Sequence, residues 1–172
     1  MIRNAQPADA LSIVSIYNYY IEQTTVSFET VPVSTEEMRD RIVSISEKYP
    51  YLVYEEGGKV VGYCYASSWK KREAYRHTVE STVYIDAAFQ GKGIGRALMS
   101  RLIDELKARS FHTIIACITI PNPPSIKLHE KLGFEQVSVF KEVGYKFEQW
   151  LDVGDWELIV GARHALPPAK KS

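Results

Sequence analysis

The sequence predicts a single α/β domain built on a mixed sheet covered by helices. Short β-prone runs alternate with amphipathic runs of helical period, and turn residues mark nearly every boundary. No repeat, low-complexity tract or linker interrupts residues 1–160, so these are expected to form one domain, with 161–172 as a C-terminal tail. A chain of 172 residues is long enough for one well-filled core; at this size roughly 70% of the unfolded surface is buried.

Residues 8–21 carry Leu11, Val14, Ile16 and Tyr17 near helical spacing, and Pro7 suits a first turn, where its missing N–H costs nothing. A second helix opens at Ser34-Thr35-Glu36-Glu37, a capping box, and cannot extend past Pro50. Strands come next. Tyr51 to Glu55 is apolar and β-prone, Glu56-Gly57-Gly58-Lys59 supplies a hairpin turn, and Lys59 to Ser67 is its Val- and Tyr-rich partner. A polar stretch from Trp69 to His77 leads to a strand at Thr78–Ile85. Gly93 to Arg109 is the strongest helix, with Ile94, Leu98, Leu102 and Leu106 at four-residue spacing and charges opposite. Thr113–Ile120 reads as a strand, Ser125–Leu132 as a short helix ended by Gly133, and Phe134–Val143 and Trp150–Val160 as two final strands.

Charges cancel, 21 basic against 21 acidic, so long-range electrostatics gives no drive toward nucleic acid or an anionic membrane as partner. No apolar run approaches the ~20 residues of a membrane span, and Met1–Pro7 lacks the apolar stretch of a secretory leader. Cys64 and Cys117 lie far apart in apolar runs, so both are expected buried and reduced, in keeping with a cytoplasmic setting. His77, His112 and His164 show no metal-ligand spacing, nor does any Cys/His cluster, so no metal is expected.

The most informative stretch runs from Tyr84 to Leu98. A strand runs out, Gln90-Gly91-Lys92-Gly93-Ile94-Gly95-Arg96 turns, and a helix begins at once. Glycines permit positive φ and let a ligand approach the backbone closely. The helix start offers unpaired N–H groups and a partial positive charge, to which Lys92 and Arg96 add, so a diphosphate is the fitting guest. The spacing is neither the dinucleotide fingerprint, which needs G-x-G-x-x-G and a later acid, nor the P-loop, which needs Gly-Lys-Ser/Thr. A glycine-softened helix entry with no ligand is the plain alternative.

Gln90-x-x-Gly93-x-Gly95 after Val83-Tyr84-Ile85 resembles the acetyl-CoA loop of the GNAT acetyltransferases, and Asn122-Pro123-Pro124-Ser125 through His129 to Phe134 resembles their second cofactor motif. There His129 stands where an aromatic acid is commoner. Thr25–Thr30, Tyr65-Ala66 with Trp69-Lys70, Thr78–Tyr84, Leu128-His129-Glu130 and Gly144-Tyr145-Lys146 resemble the phosphinothricin N-acetyltransferase branch, in the same order from about residue 3 to 160. The resemblance implies a mixed, mostly antiparallel twisted sheet flanked by helices on both faces. It implies that Val83, Tyr84 and Ile85 pair with the pantetheine of acetyl-CoA as an added strand. Residues 90–96 would wrap the pyrophosphate, with Asn122 and Ser125 near the thioester. It also implies a homodimer, in accord with the large rings Tyr145, Phe147, Trp150 and Trp156 in the last strand pair.

Acetyl transfer to an amine needs a group to take the ammonium proton and stabilisation of the departing thiolate. Glu80 is the candidate base: alternation puts it on one strand face with Thr82 and Tyr84, and a carboxylate in a buried-looking strand is costly unless paired or functional. A solvated edge Glu is the bland alternative. His129 is the second candidate, as acid or in a proton relay, against a helix-face His packed beside Leu128 and Leu132. Neither Ser81 nor Ser125 sits in a Gly-x-Ser-x-Gly elbow, so direct transfer is expected. Trp69–Arg76 is the one dense basic-aromatic cluster; the resemblance assigns Lys70, Arg72 and Tyr75 to the acceptor, with Phe28 opposite. A small amino-acid-like acceptor with an extra anionic or sulfoximine-like group fits. A protein N-terminal or polyamine acetyltransferase, or a non-catalytic acetyl-CoA-binding module, are the rivals; the basic segment disfavours a polyamine.

Overall fold

The computed structural model describes residues 1–162, so the expected tail lies outside the described residues from position 163. A short strand β1 (Ile2–Asn4) precedes everything the periodicity predicted. It pairs antiparallel with β2 (Tyr51–Glu56). Arg3 fixes this corner, donating to both carboxylate oxygens of Asp9 at 2.8 Å and to Glu55 at 2.9 Å.

Pro7–Asp9 forms a 3-10 turn, and α1 follows at Ala10–Gln23, two residues later than the pattern suggests. Its buried side is Ile13, Ile16, Tyr20 and Ile21, whereas Leu11 is 69% exposed. In α2 (Thr35–Ser46) the Ser34 hydroxyl accepts from the Glu37 N–H at 3.1 Å, the expected cap. β2 and β3 (Lys59–Ser68) meet in a hairpin whose Gly57 and Gly58 hold φ of +58° and +79°.

β4 (Thr78–Ile85), α3 (Ile94–Ala108), β5 (Thr113–Ile120), α4 (Pro123–Lys131), β6 (Glu135–Lys146) and β7 (Gln149–Ile159) are the remaining elements of the described residues. The strands form one seven-stranded sheet in the order β1-β2-β3-β4-β5-β7-β6, antiparallel everywhere except between β4 and β5. The mixed, mostly antiparallel sheet is therefore observed, and helices cover both faces.

On one face α3 buries Leu98, Met99, Leu102 and Leu106 against Val61, Cys64, Val79, Ile114, Ala116 and Trp156. Each such side chain contributes roughly 1.5–3 kcal/mol relative to exposure. On the other face α1 and α2 close over Tyr51, Val53, Val60 and Tyr63. Cys64 belongs to the first core, where burial pushes its thiol pKa up. Of the late aromatic residues only Trp156 joins the core; Tyr145, Phe147 and Trp150 are each more than half exposed.

Candidate active site

The sheet parts where its one parallel contact lies. β4 and β5 are in register at only three positions, Thr78 with Thr113, Val79 with Ile114 and Glu80 with Ile115, and the Ser81 hydroxyl adds a last contact to the Ile115 carbonyl at 3.3 Å. Beyond it a cavity of about 500 Å³ opens. Residues of both sheet faces line it, Tyr65, Glu80, Tyr84 and Cys117 on the α1 side and Asn122, Ser125 and His129 on the α4 side.

The ladder geometry decides which β4 backbone groups face the gap. Asp86 N–H bonds to the Val61 carbonyl at 2.9 Å, and from there hydrogen-bonded pairs with β3 alternate, so Tyr84 pairs with Tyr63 while Val83 and Ile85 turn their amides and carbonyls outward. This corrects the expectation for Tyr84: its backbone belongs to β3, and its ring packs on Tyr17, Tyr20 and Tyr63. The Ile85 carbonyl already accepts the Tyr20 hydroxyl at 2.6 Å, and the same hydroxyl accepts from Gln90 Nε2 at 2.9 Å. Gln90 is thus the tie between the loop and α1.

Glu80 stands at the closed end of the gap, half-buried. Burial raises its pKa, and the negative charge of Asp155 adds to the effect. Cys117, expected buried, is exposed, because β5 beyond Ile115 has lost its neighbour on that side. Desolvation still pushes its thiol up to about 12, with Glu80 and Asp155 contributing, so it stays protonated at neutral pH.

His129 is 3% exposed. Its Nδ1 lies 2.8 Å from the Ser125 carbonyl, which can only accept, so Nδ1 carries the hydrogen and Nε2 is a lone-pair acceptor. Nε2 is buried with no partner in the cavity wall. Burial lowers the pKa of the ring, and the neutral form prevails near pH 7. The Asn122 side chain caps α4, its carbonyl oxygen accepting from Ser125 N–H at 3.3 Å, and its amide N–H₂ remains for a ligand.

Gly91 and Gly93 hold φ of +76° and +80°, and a Cβ on either would meet only open space. Their role is conformational, and the space beside them is the room a bound group needs. Gly95 differs: a Cβ there would press on Leu128 Cδ2 at 3.3 Å, so this glycine lets α3 approach α4. Ile94 is buried and offers the loop only its backbone. Lys92 lies over the Phe89 ring at 4.3 Å, Arg96 is exposed, and neither has an ion-pair partner among the described residues. Positive-φ glycines, a helix N-terminus and two uncommitted cations fit a diphosphate.

On the acceptor side the structure brings Phe28 to the cavity but leaves Lys70, Arg72 and Tyr75 outside its wall. Phe28 lies flat on Gly144, where any Cβ would strike its ring. Lys70 sits 3.9 Å above the Trp69 ring, which meets Tyr75 edge-on, and the segment belongs to the β3–β4 connection, which ends three residues before Glu80.

Tyr17, Ser27 and Glu29 line the cavity without having been singled out. Tyr17 Oη lies 3.0 Å from both Ser27 Oγ and Glu29 Oε1, and Arg41 holds Glu29 at 2.7 Å. Burial alone would raise the Glu29 pKa, but Arg41 and Tyr17 hold it below the ordinary value. Ser27 and Glu29 flank Phe28, so that segment was the available signal; Tyr17 gave none apart from its place on a helix.

The model of the acetyltransferase (GNAT) domain matches residues 2–154. Phosphinothricin N-acetyltransferase of Streptomyces viridochromogenes is 42% identical over 156 residues, 91% of this chain and 85% of that protein. The L-methionine sulfoximine/L-methionine sulfone acetyltransferase of Salmonella typhimurium is 39% identical, with 98% of each chain covered. The crystal structure of a GNAT superfamily phosphinothricin acetyltransferase from Sinorhizobium meliloti in complex with AcCoA superposes with a TM-score of 0.94 at 38% identity, covering 98% of this chain and 92% of that one.

Proposed function

The chain belongs to the GNAT acetyltransferases, and from that premise we propose that it acetylates the primary amine of a small amino-acid-like acceptor of the phosphinothricin or methionine sulfoximine kind. The observation that carries the reading is Glu80, a half-buried carboxylate of raised proton affinity where β4 and β5 part. Bound acetyl-CoA supplies an activated acetyl thioester. The open glycine loop and the outward amides of Val83 and Ile85 support residues 83, 85 and 90–96 as its holders, with Asn122 and Ser125 nearby.

An α-ammonium is mostly charged at neutral pH and must lose its proton before nitrogen can attack a carbonyl carbon. Glu80 accepts that proton, and its raised affinity narrows the gap to the amine. His129 is neutral in this site, with Nδ1 held by the Ser125 carbonyl, so Nε2 takes up a proton in the relay and releases it from the same atom toward the departing thiolate, rather than standing as a resident acid. The reading gives no step to a metal. Phe28 walls the acceptor, and Lys70, Arg72 and Tyr75, at the Glu80 end, engage its acidic group from outside the wall; Arg72 has no ion-pair partner among the described residues.

The exposed Val139, Phe140, Val143, Tyr145, Phe147 and Trp150 on β6, β7 and the turn between them support a homodimer through this face. Among the described residues no helix is long and apolar enough to cross a membrane. The reading carries a cytoplasmic setting and neither nucleic-acid nor membrane partners. A coupled thiol-release assay over an amino-acid panel tests it: turnover with methionine sulfoximine or phosphinothricin is expected, and silence with every amine, despite acetyl-CoA binding, would make this a non-catalytic module.

A further inference from the structure

Gly144-Tyr145-Lys146 closes β6, and nothing in the proposed chemistry uses it. β5 pairs with β7 only as far as Ile120 with Asp152, whereas β6 and β7 run on through Gly144 with Leu151, Tyr145 with Trp150 and Lys146 with Gln149. The tip of this hairpin therefore stands beyond the end of β5, after a register shift between Phe140 and Gly144. Alternation separates its two sides: Gly144 and Lys146 are buried, and Tyr145 between them is exposed. The buried side meets the segment that walls the acceptor. The Phe28 ring covers Gly144, and Lys146 Nζ donates to the Ser27 carbonyl at 2.6 Å. Lys146 is only 4% exposed and forms no ion pair among the described residues. Burying an amine is costly unless it is hydrogen-bonded, and here the bond goes to a main-chain carbonyl. That carbonyl belongs to a stretch with little support of its own: residues 26–32 make no main-chain to main-chain hydrogen bond. Tyr17 and Arg41 hold the Ser27 and Glu29 side chains from α1 and α2. Among the described residues, Lys146 is the one side chain from outside residues 24–32 that bonds their main chain.

We infer that Lys146 is a positioning residue for the acceptor: with Gly144 it seats Ser27 and Phe28 on the β6–β7 hairpin, and so fixes the wall against which the amino-acid-like substrate lies. The inference rests on the reading of Phe28 as that wall. The donor role needs only an N–H on Nζ, which the charged and the neutral amine both carry. Ser27, Phe28 and Glu29 all line the cavity, whereas Lys146 stands behind them and does not. It therefore acts on the substrate through the wall. No hydrogen bond links Lys146 to residues 83–96 or 122–125, so the acetyl-CoA side of the site does not depend on it.

The test is steady-state kinetics with methionine sulfoximine in wild type, Lys146→Met, Gly144→Ala, Phe28→Ala and the Lys146→Met/Phe28→Ala double variant, with calorimetric titration of acetyl-CoA alongside. Lys146→Met keeps an apolar stem and removes the donor, so acceptor KM should rise about tenfold, with kcat and acetyl-CoA affinity little changed. Gly144→Ala leaves Lys146 in place and pushes on the Phe28 ring, which is partly exposed and has room to swing, so the variant should fold and raise KM likewise. In the Phe28→Ala background Lys146→Met should add little, because both changes act through one wall. A folded Lys146→Met with wild-type acceptor KM, or an effect that adds in full to that of Phe28→Ala, overturns the inference and leaves Phe28 standing. If Phe28→Ala itself leaves acceptor KM unchanged, the reading of the wall fails. Should Lys146→Met not fold, Gly144→Ala decides: an unchanged acceptor KM there overturns the inference.

Discussion

Gly93→Val and Gly58→Val form a matched pair, since the two glycines hold nearly the same positive φ in different places. Gly93 holds φ of +80° and Gly58 +79°, and a Cβ at either meets nothing within 4 Å. Neither substitution therefore clashes with protein, and each pays only for forcing a β-branched residue into the left-handed region, about 1–3 kcal/mol. For a chain of this length that lowers Tm by roughly 2–4 °C per kcal/mol, and similarly in both variants. Binding should separate them. Gly58 lies in the β2–β3 turn and not in the loop that enters α3. At Gly93 it fills the space beside the α3 N-terminus, so acetyl-CoA affinity should fall at least tenfold, about 1.4 kcal/mol. Calorimetric titration of both proteins, with Tm measured alongside, reads the difference. A folded Gly93→Val protein that binds acetyl-CoA as tightly as Gly58→Val would refute the assignment of the loop.

Glu80→Gln should cut turnover at pH 7 by a factor on the order of 10²–10⁴, with recovery as rising pH deprotonates the amine unaided, read from initial rates across pH. The same variant should gain thermal stability at neutral pH. Because burial raises the carboxyl's folded-state pKa, the native state holds its proton more tightly than the unfolded chain, so wild-type stability falls as pH climbs from the ordinary carboxylate range through the raised value. Gln removes that loss, and melting curves at pH 4 and pH 8 should show the gain only at the higher pH. Arg72→Ala should raise the acceptor's KM with kcat little changed and no rescue at high pH, as steady-state kinetics with an acidic acceptor will show. Trp150→Glu should convert a species of twice the chain mass into a monomer in sedimentation at micromolar concentration; a wild-type protein already monomeric there removes the dimer.

Much of the fold was legible because local rules and tertiary structure agree. Thr78–Ile85 and Thr113–Ile120 are strands with the ends the sequence suggests, and the Ser34 cap and the four-residue leucine spacing of α3 reappear in the contacts. β1 was missed because three residues carry no period, and its partner, β2, lies some fifty residues away in the chain. The buried stripe of α1 was misread at Leu11, since a stripe shows only which residues recur, not which side meets the sheet; Val14 does pack against the core. The site divides in the same way. The glycine loop, Glu80 and His129 sit on recognisable local patterns. The parting of β4 from β5 is a matter of pairing between segments distant in sequence, and what depends on it was out of reach: the exposure of Cys117, the inward turn of the Tyr84 backbone, and Lys70, Arg72 and Tyr75 lying outside the cavity wall.

Three registered pairs between β4 and β5 leave the sheet as two panels, β1–β4 and β5–β7, sewn together at one end and backed by the core under α3. Along the open seam the outward N–H groups of Val83 and Ile85 have no strand partner, while that of Tyr84 between them is bonded to β3. Hydrogen exchange should then alternate along β4, fast at 83 and 85 and slow at 84. A ligand with its own amides, laid into the seam, acts as the missing strand: it levels that alternation and ties the panels into one. On this reading the protein should be stiffest when loaded, its sheet finished by what it binds.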